Sequence, residues 1–256
     1  MGKIWAIANQ KGGVTKTTTT CELAAALNGM GQKVLVIDMD QQCDLSKNSN
    51  VKIENTINDV FQAPDTLSHA IQHTKHFDII PGDPALSKAE KLYDGRDDVY
   101  LLADVCEVLA PSYDFILLDN PTARNIILIM SCIAADYVIV PTLADRNSLN
   151  GIVEIESDLR QLRNSRNKES HAYIKGIILS IYEGHNPHKK AFEEIEEIAD
   201  KLEGDVFAEK VRKSSKTIEA IDMAQPMQEY QTYNNVSVDY RRIAKRMLEV
   251  NKNGEK

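Results

Sequence analysis

A short glycine-rich segment near the N-terminus constrains this chain more than any other part of its sequence. Residues 11–18 read KGGVTKTT and directly follow the apolar run at residues 4–8, so a buried strand is expected to lead into this loop. A helical pattern then continues over residues 17–28. A loop of this kind presents backbone N–H groups and the positive end of a helix to an anion. The segment therefore predicts a phosphate-binding loop in an α/β fold.

The loop contains the main parts of a Walker A motif. In that motif a lysine reaches the terminal phosphates of a nucleotide, and a Ser or Thr hydroxyl binds Mg²⁺. Lys16 and Thr17 supply these two groups, and Lys16 is a candidate for charge stabilisation during catalysis. The residues predicted to contact the nucleotide at this loop are Lys11, Gly12, Gly13, Val14, Thr15, Lys16, Thr17 and Thr18. We expect ATP or ADP, with Mg²⁺, as the ligands.

The loop departs from the common pattern G-x-x-x-x-G-K-[ST] at the residue before the lysine. That residue is Thr15, where the pattern has glycine. A Cβ at this point crowds the turn where backbone and phosphate approach most closely. Two consequences are open: either nucleotide affinity falls, or the Thr15 hydroxyl takes part in binding. In the first case the chain is a nucleotide-binding regulator with impaired hydrolysis.

Short apolar runs recur along the chain and alternate with segments of helical length. Beyond the first strand they lie at residues 33–37, 77–80, 114–118, 137–140 and 174–179. Continuous apolar strands are typical of a parallel sheet that is buried on both faces. Longer helices are predicted at residues 145–163, 187–202 and 236–250. The sequence thus predicts a doubly wound α/β fold, with a mostly parallel sheet flanked by helices.

Composition favours one domain. The 256 residues are 43% hydrophobic and contain no Pro/Gly/Ser-rich linker and no internal repeat. We expect a single P-loop domain over residues 1–256, with disorder left open for the last few residues. Four cysteines without a C-x-x-C pair predict neither a disulfide framework nor a zinc site. No secretory signal and no apolar run of ~20 residues is present, so a cytoplasmic protein is expected.

Aspartates follow two of the predicted strands. Asp38 and Asp40 come after residues 33–37, and Asp119 follows residues 114–118. Ligands of open parallel sheets bind at the carboxyl ends of the strands, so these three side chains are candidates to surround Mg²⁺ and nucleotide. Because Mg²⁺ keeps several of its waters, the Thr17 hydroxyl and one carboxylate acting through water would be enough to hold it.

Lys11 has no role in an ordinary Walker A loop. With this lysine the segment resembles the deviant Walker A box, K-G-G-x-G-K-[ST], of the ParA/MinD family of ATPases. Residues 38–46 (DMDQQCDLS) are similar to the first switch of ParA proteins, D-x-D-P-Q-x-N-x-[ST], with Gln41 and Asp44 as departures. Residues 119–122 (DNPT) resemble the second switch, D-x-P-P, with Thr122 in place of the second proline. The resemblance spans nearly the whole chain.

The resemblance implies a P-loop NTPase fold and a role for each site residue. Lys11 would reach across a dimer interface to the partner's ATP, which makes ATP binding and dimerisation one event. Asp40 would orient or activate the attacking water. Asp119 would hold Mg²⁺ through water, and Asp38 would support the metal less directly. Pro141 lies in a segment that passes near the base in relatives, and is a candidate adenine contact.

Basic residues are concentrated in two C-terminal stretches, although the chain carries a net charge of −8. The stretches contain Lys210, Arg212, Lys213 and Lys216, and Arg241, Arg242, Lys245 and Arg246. The other 22 basic residues face 38 acidic ones. Basic clusters give sequence-independent affinity for nucleic acid, and the alternative is two solvated surfaces. By the resemblance, Lys213 and Lys216 fall on two basic positions of ParA proteins that bear on non-specific DNA binding.

The resemblance is closest to ParA proteins of the Soj type, without an N-terminal helix-turn-helix, so operator-specific DNA binding is not expected. It implies a partitioning ATPase that forms an ATP-dependent sandwich dimer on non-specific DNA. Such an enzyme segregates plasmid, mobile-element or chromosomal DNA, and a ParB-type centromere-binding partner stimulates its hydrolysis. The protein would be cytoplasmic and nucleoid-associated.

A MinD-like membrane switch is the alternative within the family. Its last helix is basic and amphipathic, and residues 236–250 of this chain have a basic side beside an apolar edge. The helix contains no aromatic residue after Tyr240, whereas a surface anchor usually buries Trp, Phe or several Leu. We therefore expect the helix to pack on the domain, and no membrane partner.

Overall fold

The sheet of this protein places its first strand among parallel neighbours. The computed structural model describes residues 1–253. The strands are β1 (Lys3–Ile7), β2 (Val34–Asp38), β3 (Gln72–His73), β4 (Asp78–Ile80), β5 (Phe115–Asp119), β6 (Tyr137–Thr142), β7 (Tyr173–Tyr182) and β8 (Phe207–Arg212). They form one sheet in the order β3-β4-β2-β5-β1-β6-β7-β8. All neighbours are parallel except β3 and β4.

Helices connect the strands. In the described part of the chain they are α1 (Lys16–Asn28), α2 (Asp44–Asn48), α3 (Ile57–Gln62), α4 (Leu67–Ala70), α5 (Ala89–Leu92), α6 (Leu101–Leu109), α7 (Ile126–Ala134), α8 (Arg146–Arg163), α9 (Asn186–Lys201), α10 (Lys216–Asp222), α11 (Met227–Tyr230) and α12 (Asn235–Asn253). None of these helices is both long and apolar enough to cross a bilayer.

The central strands are buried on both faces, as their continuous apolar runs predict. Alternate side chains of β2 enter two separate cores, with Leu35 and Ile37 in one and Val34 and Val36 in the other. Helices α6, α7 and α8 contribute to the first core, and α1 and α12 to the second. The prediction of a doubly wound, mostly parallel α/β fold is confirmed.

Two strands were not predicted from the sequence. The first, β3, has only two residues and pairs antiparallel at the edge. The second, β8, lies at the opposite edge and reads FAEKVR, which alternates instead of forming an apolar run. Lys210 and Arg212 of the first basic stretch therefore lie on an edge strand. The expectation for the last few residues concerns residues 254–256, which lie outside the described part of the chain.

The last helix packs on the body of the protein. Its residues Tyr240, Ile243 and Met247 are buried in the same core as Leu23 and Leu27 of α1. The apolar edge of the helix is thus covered by the protein itself, which agrees with the expectation that this helix docks on the domain.

A buried carboxyl group joins α1 to the segment before α12. Glu22 is 3% exposed, and its Oε1 accepts a hydrogen bond of 2.6 Å from the backbone N–H of Met227. The other oxygen, Oε2, has no partner. Burial raises the pKa of Glu22 to about 7, partly offset by the backbone hydrogen bonds that it accepts. The folded protein therefore favours the protonated form of this side chain.

We expect Glu22→Gln to remove part of the pH dependence of stability. The folded-state pKa lies above the ordinary value of 4.5, so the stability that Glu22 contributes is complete below about pH 4.5. It is lost as the pH rises through about 7. Glutamine imitates the protonated form at every pH. In urea titrations the variant should match the wild type near pH 4 and exceed its free energy of unfolding by about 2–3 kcal/mol at pH 8.

The exposed Glu193→Gln is the control, and it should leave the pH dependence unchanged. Equal pH profiles for wild type and Glu22→Gln would contradict the assignment.

Candidate functional site

The loop between β1 and α1 has the geometry of an anion-binding turn. Gly13 and Thr15 both adopt left-handed backbone conformations, with φ of 74° and 71°. Thr15 lies at the N-cap of α1, and its carbonyl accepts the N–H of Thr19 at 2.8 Å. Lys11, Gly12 and Gly13 are exposed, so the loop is open to a ligand next to the positive end of the helix.

Thr15 adopts the left-handed backbone conformation for which glycine is the usual residue. A left-handed backbone costs a side-chain-bearing residue about 1–2 kcal/mol, and a β-branched residue rarely adopts it. The Thr15 hydroxyl donates a hydrogen bond of 2.7 Å to Ser180 Oγ at the end of β7. It also lies 3.4 Å from Thr19 Oγ1, which is 3.0 Å from the Tyr240 hydroxyl on α12. The hydroxyl is therefore engaged by the protein itself.

Lys16 is held inside the loop. It is 7% exposed, and its Nζ donates to Thr122 Oγ1 at 3.1 Å and to the Lys11 carbonyl at 3.4 Å. Burial lowers the pKa of the Lys16 ammonium, and the carboxylates of Asp119 and Asp40 oppose this effect. The sequence marked Thr122 only as a departure from a pattern, and gave no sign of its contact with Lys16.

Asp119 ends β5 below the loop with one oxygen unsatisfied. Its Oδ1 accepts a hydrogen bond of 3.1 Å from Thr20 Oγ1, whereas Oδ2 is buried without a partner. Burial first, and then the neighbouring Asp38, raise the pKa of Asp119 well above its usual range, and the nearby hydroxyls of Thr17 and Thr20 act in the opposite direction. An unpartnered carboxylate oxygen near the Thr17 hydroxyl fits Mg²⁺ bound directly or through water.

The protein offers few other ligands for a metal. In the part of the chain that the structure describes, no three His, Cys, Asp or Glu side chains are grouped to hold an ion. The remaining positions around Mg²⁺ at Thr17 and Asp119 would therefore belong to phosphate oxygens and water, as is usual for Mg²⁺ with a nucleotide.

Asp38 anchors the segment that contains Asp40. Its Oδ1 accepts the backbone N–H of Asp40 at 3.1 Å, and its Oδ2 accepts the N–H and hydroxyl of Ser46 at 3.0 and 2.6 Å. A Cβ at Gly82 would lie 2.9 Å from the Asp38 carboxyl carbon, so the carboxylate is closely enclosed. Burial raises the pKa of Asp38. Asp38 faces Asp119 across the β2–β5 register, and Asp40 is less buried than either.

Asn9 connects the loop to β6 and α8. Its Oδ1 accepts the backbone N–H of Lys11 at 2.9 Å, and its Nδ2 donates to the Pro141 carbonyl at 2.8 Å. A Cβ at Gly151 would lie 2.2 Å from Asn9 Oδ1, so this approach requires glycine in α8. Pro141, the candidate adenine contact, is buried within β6 and supports the loop through its carbonyl. No motif in the sequence identifies Asn9 as a site residue.

A cavity of about 200 Å³ opens beside the loop. Thr15 and Thr18 form the wall next to α1, and the rest includes Ser180, Ile181, Val211, Lys213, Ile218 and Tyr240. The lining is mainly apolar, with several hydroxyl groups. No motif predicts this cavity, because its walls come from β7, β8, α10 and α12, which are far apart in the sequence.

Lys213 follows β8 and lines the cavity beside the loop, and Lys216 is the first residue of α10. Each is paired with an acid: Lys213 Nζ lies 2.9 Å from Glu183 Oε1, and Lys216 Nζ lies 2.8 Å from Glu219 Oε1. Other members of the two stretches are also paired, with Arg212 on Asp239, Arg242 on Glu209 and Asp239, and Arg246 on Glu209 and Glu249. The basic stretches are therefore less free than their sequence indicates.

This chain is similar to several known proteins. A family model described as an AAA domain matches residues 2–171. The chromosome partitioning protein ParA of Caulobacter vibrioides is 32% identical over 72% of this chain and 71% of its own length. The sporulation initiation inhibitor protein Soj of Bacillus subtilis is 27% identical over 96% of this chain and 98% of its own. The septum site-determining protein MinD of Pyrococcus horikoshii, solved with Mg-ADP, superposes with a TM-score of 0.78 at 25% identity, over 96% of both chains.

Thr15→Val tests whether the Thr15 hydroxyl holds the loop. Valine keeps the branched shape but leaves the buried Ser180 hydroxyl without its donor, so the free energy of unfolding should fall by about 1–2 kcal/mol. Thr15→Ser keeps the hydroxyl and should stay within about 0.5 kcal/mol of the wild type. Urea titration measures both. A valine variant as stable as the wild type would show that the hydrogen bond contributes nothing.

Proposed function

Because the chain belongs to the ParA/MinD family of ATPases, we propose that it is a ParA-type partitioning ATPase whose ATP-bound form is a dimer. The observation that carries the proposal is the arrangement of two lysines in one loop. Lys16 is buried at the base of the loop, whereas Lys11 is exposed at its start. A buried lysine suits the protein's own nucleotide, and an exposed one suits the nucleotide of a second copy.

The proposed reaction is the transfer of the terminal phosphoryl group of ATP to water. The loop N–H groups and Lys16 bind and orient the phosphates, while Thr17 and Asp119 hold Mg²⁺. When bound, Mg²⁺ neutralises charge that develops on the phosphate oxygens. Asp40 orients the attacking water, and Asp38 fixes the segment that carries Asp40. The water oxygen bonds to the terminal phosphorus as the bond to the ADP oxygen breaks, and no covalent intermediate is required.

The cavity beside Thr15 and Thr18 is the proposed place for the nucleoside. It lies next to the N-terminal end of α1, where the phosphates would be held. Its apolar walls suit a base, and its hydroxyl groups suit a sugar or ring nitrogen. This proposal does not require a direct contact with Pro141, whose carbonyl is engaged by Asn9.

Lys11→Ala tests the dimer. Light scattering after size exclusion should show that the wild type is a dimer with ATP and a monomer with ADP or without nucleotide. Lys11→Ala should remain a monomer with ATP and keep its nucleotide affinity within about threefold, because the lysine acts on the partner's nucleotide. Lys16→Ala should lose most of its nucleotide affinity.

The exposed Lys201→Ala is the matched control and should dimerise like the wild type. A wild type that is monomeric under all three conditions would rule out the dimer mechanism.

The proposed dimer binds DNA without sequence preference through Lys213 and Lys216, in the cytoplasm on the nucleoid. Their ion pairs with Glu183 and Glu219 involve side chains that are 37–56% exposed. Exposed pairs of this kind contribute little stability, so DNA phosphates can replace the carboxylates. A ParB-type centromere-binding partner would then stimulate hydrolysis and release the DNA.

Lys213→Ala combined with Lys216→Ala should weaken duplex binding at least tenfold at low salt. The comparison is made at saturating ATP, because Lys213 also lines the cavity beside Thr15. The slope of log affinity against log salt should decrease by about 2, because two phosphate contacts are lost. Gel shifts at several salt concentrations measure both effects. Lys91→Ala with Lys201→Ala removes the same charge elsewhere and serves as control. Equal DNA affinity for the Lys213/Lys216 variant and this control would contradict the proposal.

Two alternatives have less support. A membrane-bound switch needs an apolar helix face, but Ile243 and Met247 of α12 are fully buried against the protein. A regulator with impaired hydrolysis requires that Thr15 distorts the backbone of the loop. Thr15 instead adopts a left-handed backbone conformation like that of a glycine. A large gain in ATP affinity for Thr15→Gly would favour the second alternative.

A further inference from the structure

Thr122 lies directly over the loop, at the amine of its buried lysine. Its hydroxyl accepts a hydrogen bond of 3.1 Å from Lys16 Nζ, and its methyl carbon lies 3.8 Å from the point where Gly12 would carry a Cβ. The side chain therefore packs against the loop backbone and contacts the lysine at the same time. Within residues 1–253, Nζ has two hydrogen-bond acceptors, the Thr122 hydroxyl and the Lys11 carbonyl.

The Thr122 hydroxyl is a departure of this chain from the second-switch pattern. The second-switch pattern D-x-P-P has proline at this position, and a proline side chain neither donates nor accepts a hydrogen bond. Threonine does both, and the hydrogen on its oxygen rotates to suit its surroundings. Nothing in the pattern accounts for a polar group at this point.

We propose that Thr122 positions the terminal phosphate of ATP. Without nucleotide, its hydroxyl accepts a hydrogen bond from Lys16. With ATP bound, Lys16 turns to the phosphates, and the Thr122 hydroxyl donates to an oxygen of the terminal phosphate. The inference rests on the proposed function, because it assumes that ATP occupies the loop.

Geometry supports this assignment. The lysine of such a loop reaches the β- and γ-phosphates. Lys16 is 7% exposed and enclosed by the loop, so its amine turns to the phosphates by a small movement. An atom 3.1 Å from that amine is then within reach of an oxygen that the amine also contacts. ADP lacks the γ-phosphate, so the contact would distinguish ATP from ADP.

The test compares two ligands on four proteins. Calorimetry with Mg²⁺ gives dissociation constants for ADP and for the imido analogue of ATP, which is not hydrolysed. The proteins are the wild type, Thr122→Val, Thr122→Ser and, as control, Thr66→Val at a partly exposed threonine. Thr122→Val should bind the analogue about tenfold more weakly relative to ADP, because one charge-assisted hydrogen bond is lost. Its ADP affinity should be equal to or higher than that of the wild type, because Lys16 no longer has to leave a partner.

Steady-state kinetics add a second readout. Thr122→Val should lower kcat about tenfold, whereas Thr122→Ser should keep kcat and the ratio of the two affinities within threefold of the wild type. Thr66→Val should change nothing. Circular dichroism on each protein confirms that it is folded, and Thr122→Ser keeps the comparison valid if valine is not tolerated.

The outcomes separate the two proposals. If the wild type binds both nucleotides but Thr122→Val keeps the same ratio of affinities, Thr122 only packs against the loop and the inference is wrong. If Thr122→Ser behaves like Thr122→Val, the hydroxyl is not the active group, and the inference is wrong again. If the wild type binds neither nucleotide, the proposed function itself fails, and the role of Thr122 fails with it.

Discussion

The juxtaposition of two buried carboxyl groups is the constraint on which this site depends. Parallel pairing of β2 with β5 sets Asp38 opposite Asp119 at the carboxyl edge of the sheet, and both are fully buried. Two carboxylates so close would repel each other, and burial raises the pKa of both. The protein satisfies Asp38 with Ser46 and Asp40, but leaves one oxygen of Asp119 free. A cation bound at the free oxygen of Asp119 would therefore reduce the repulsion between the two carboxylates.

The loop above this pair is held from two sides. Asn9 connects the first part of the loop to β6 and α8, and Thr15 connects the last part of the loop to β7 by a hydrogen bond. Beyond Ser180, the left-handed Ile181 is followed by Tyr182, whose carbonyl accepts the N–H of Lys213 at 3.0 Å. A continuous run of bonded groups therefore leads from the loop to the basic segment. It gives the proposed nucleotide and DNA sites a physical connection.

The sequence was sufficient for the centre of the fold and for the loop. Strands buried on both faces produce apolar runs, and a loop between such a strand and a helix is a local pattern. The edge strand β8 was missed because its residues alternate and carry charge. The cavity was missed because distant segments form it. The ion pairs of Lys213 and Arg212 were missed because their acids lie 30 and 27 residues away, whereas charge patterning compares only neighbours.

Thr15 also bears on how such loops are recognised. A search pattern that insists on glycine before the lysine would pass over this chain, although the backbone at that position is left-handed in the ordinary way. The turn requires a positive φ at this position and a partner for any polar side chain that is present. Here the Ser180 hydroxyl is that hydrogen-bond partner. A pattern that allowed Ser or Thr at this position would include this chain, which the stricter pattern excludes.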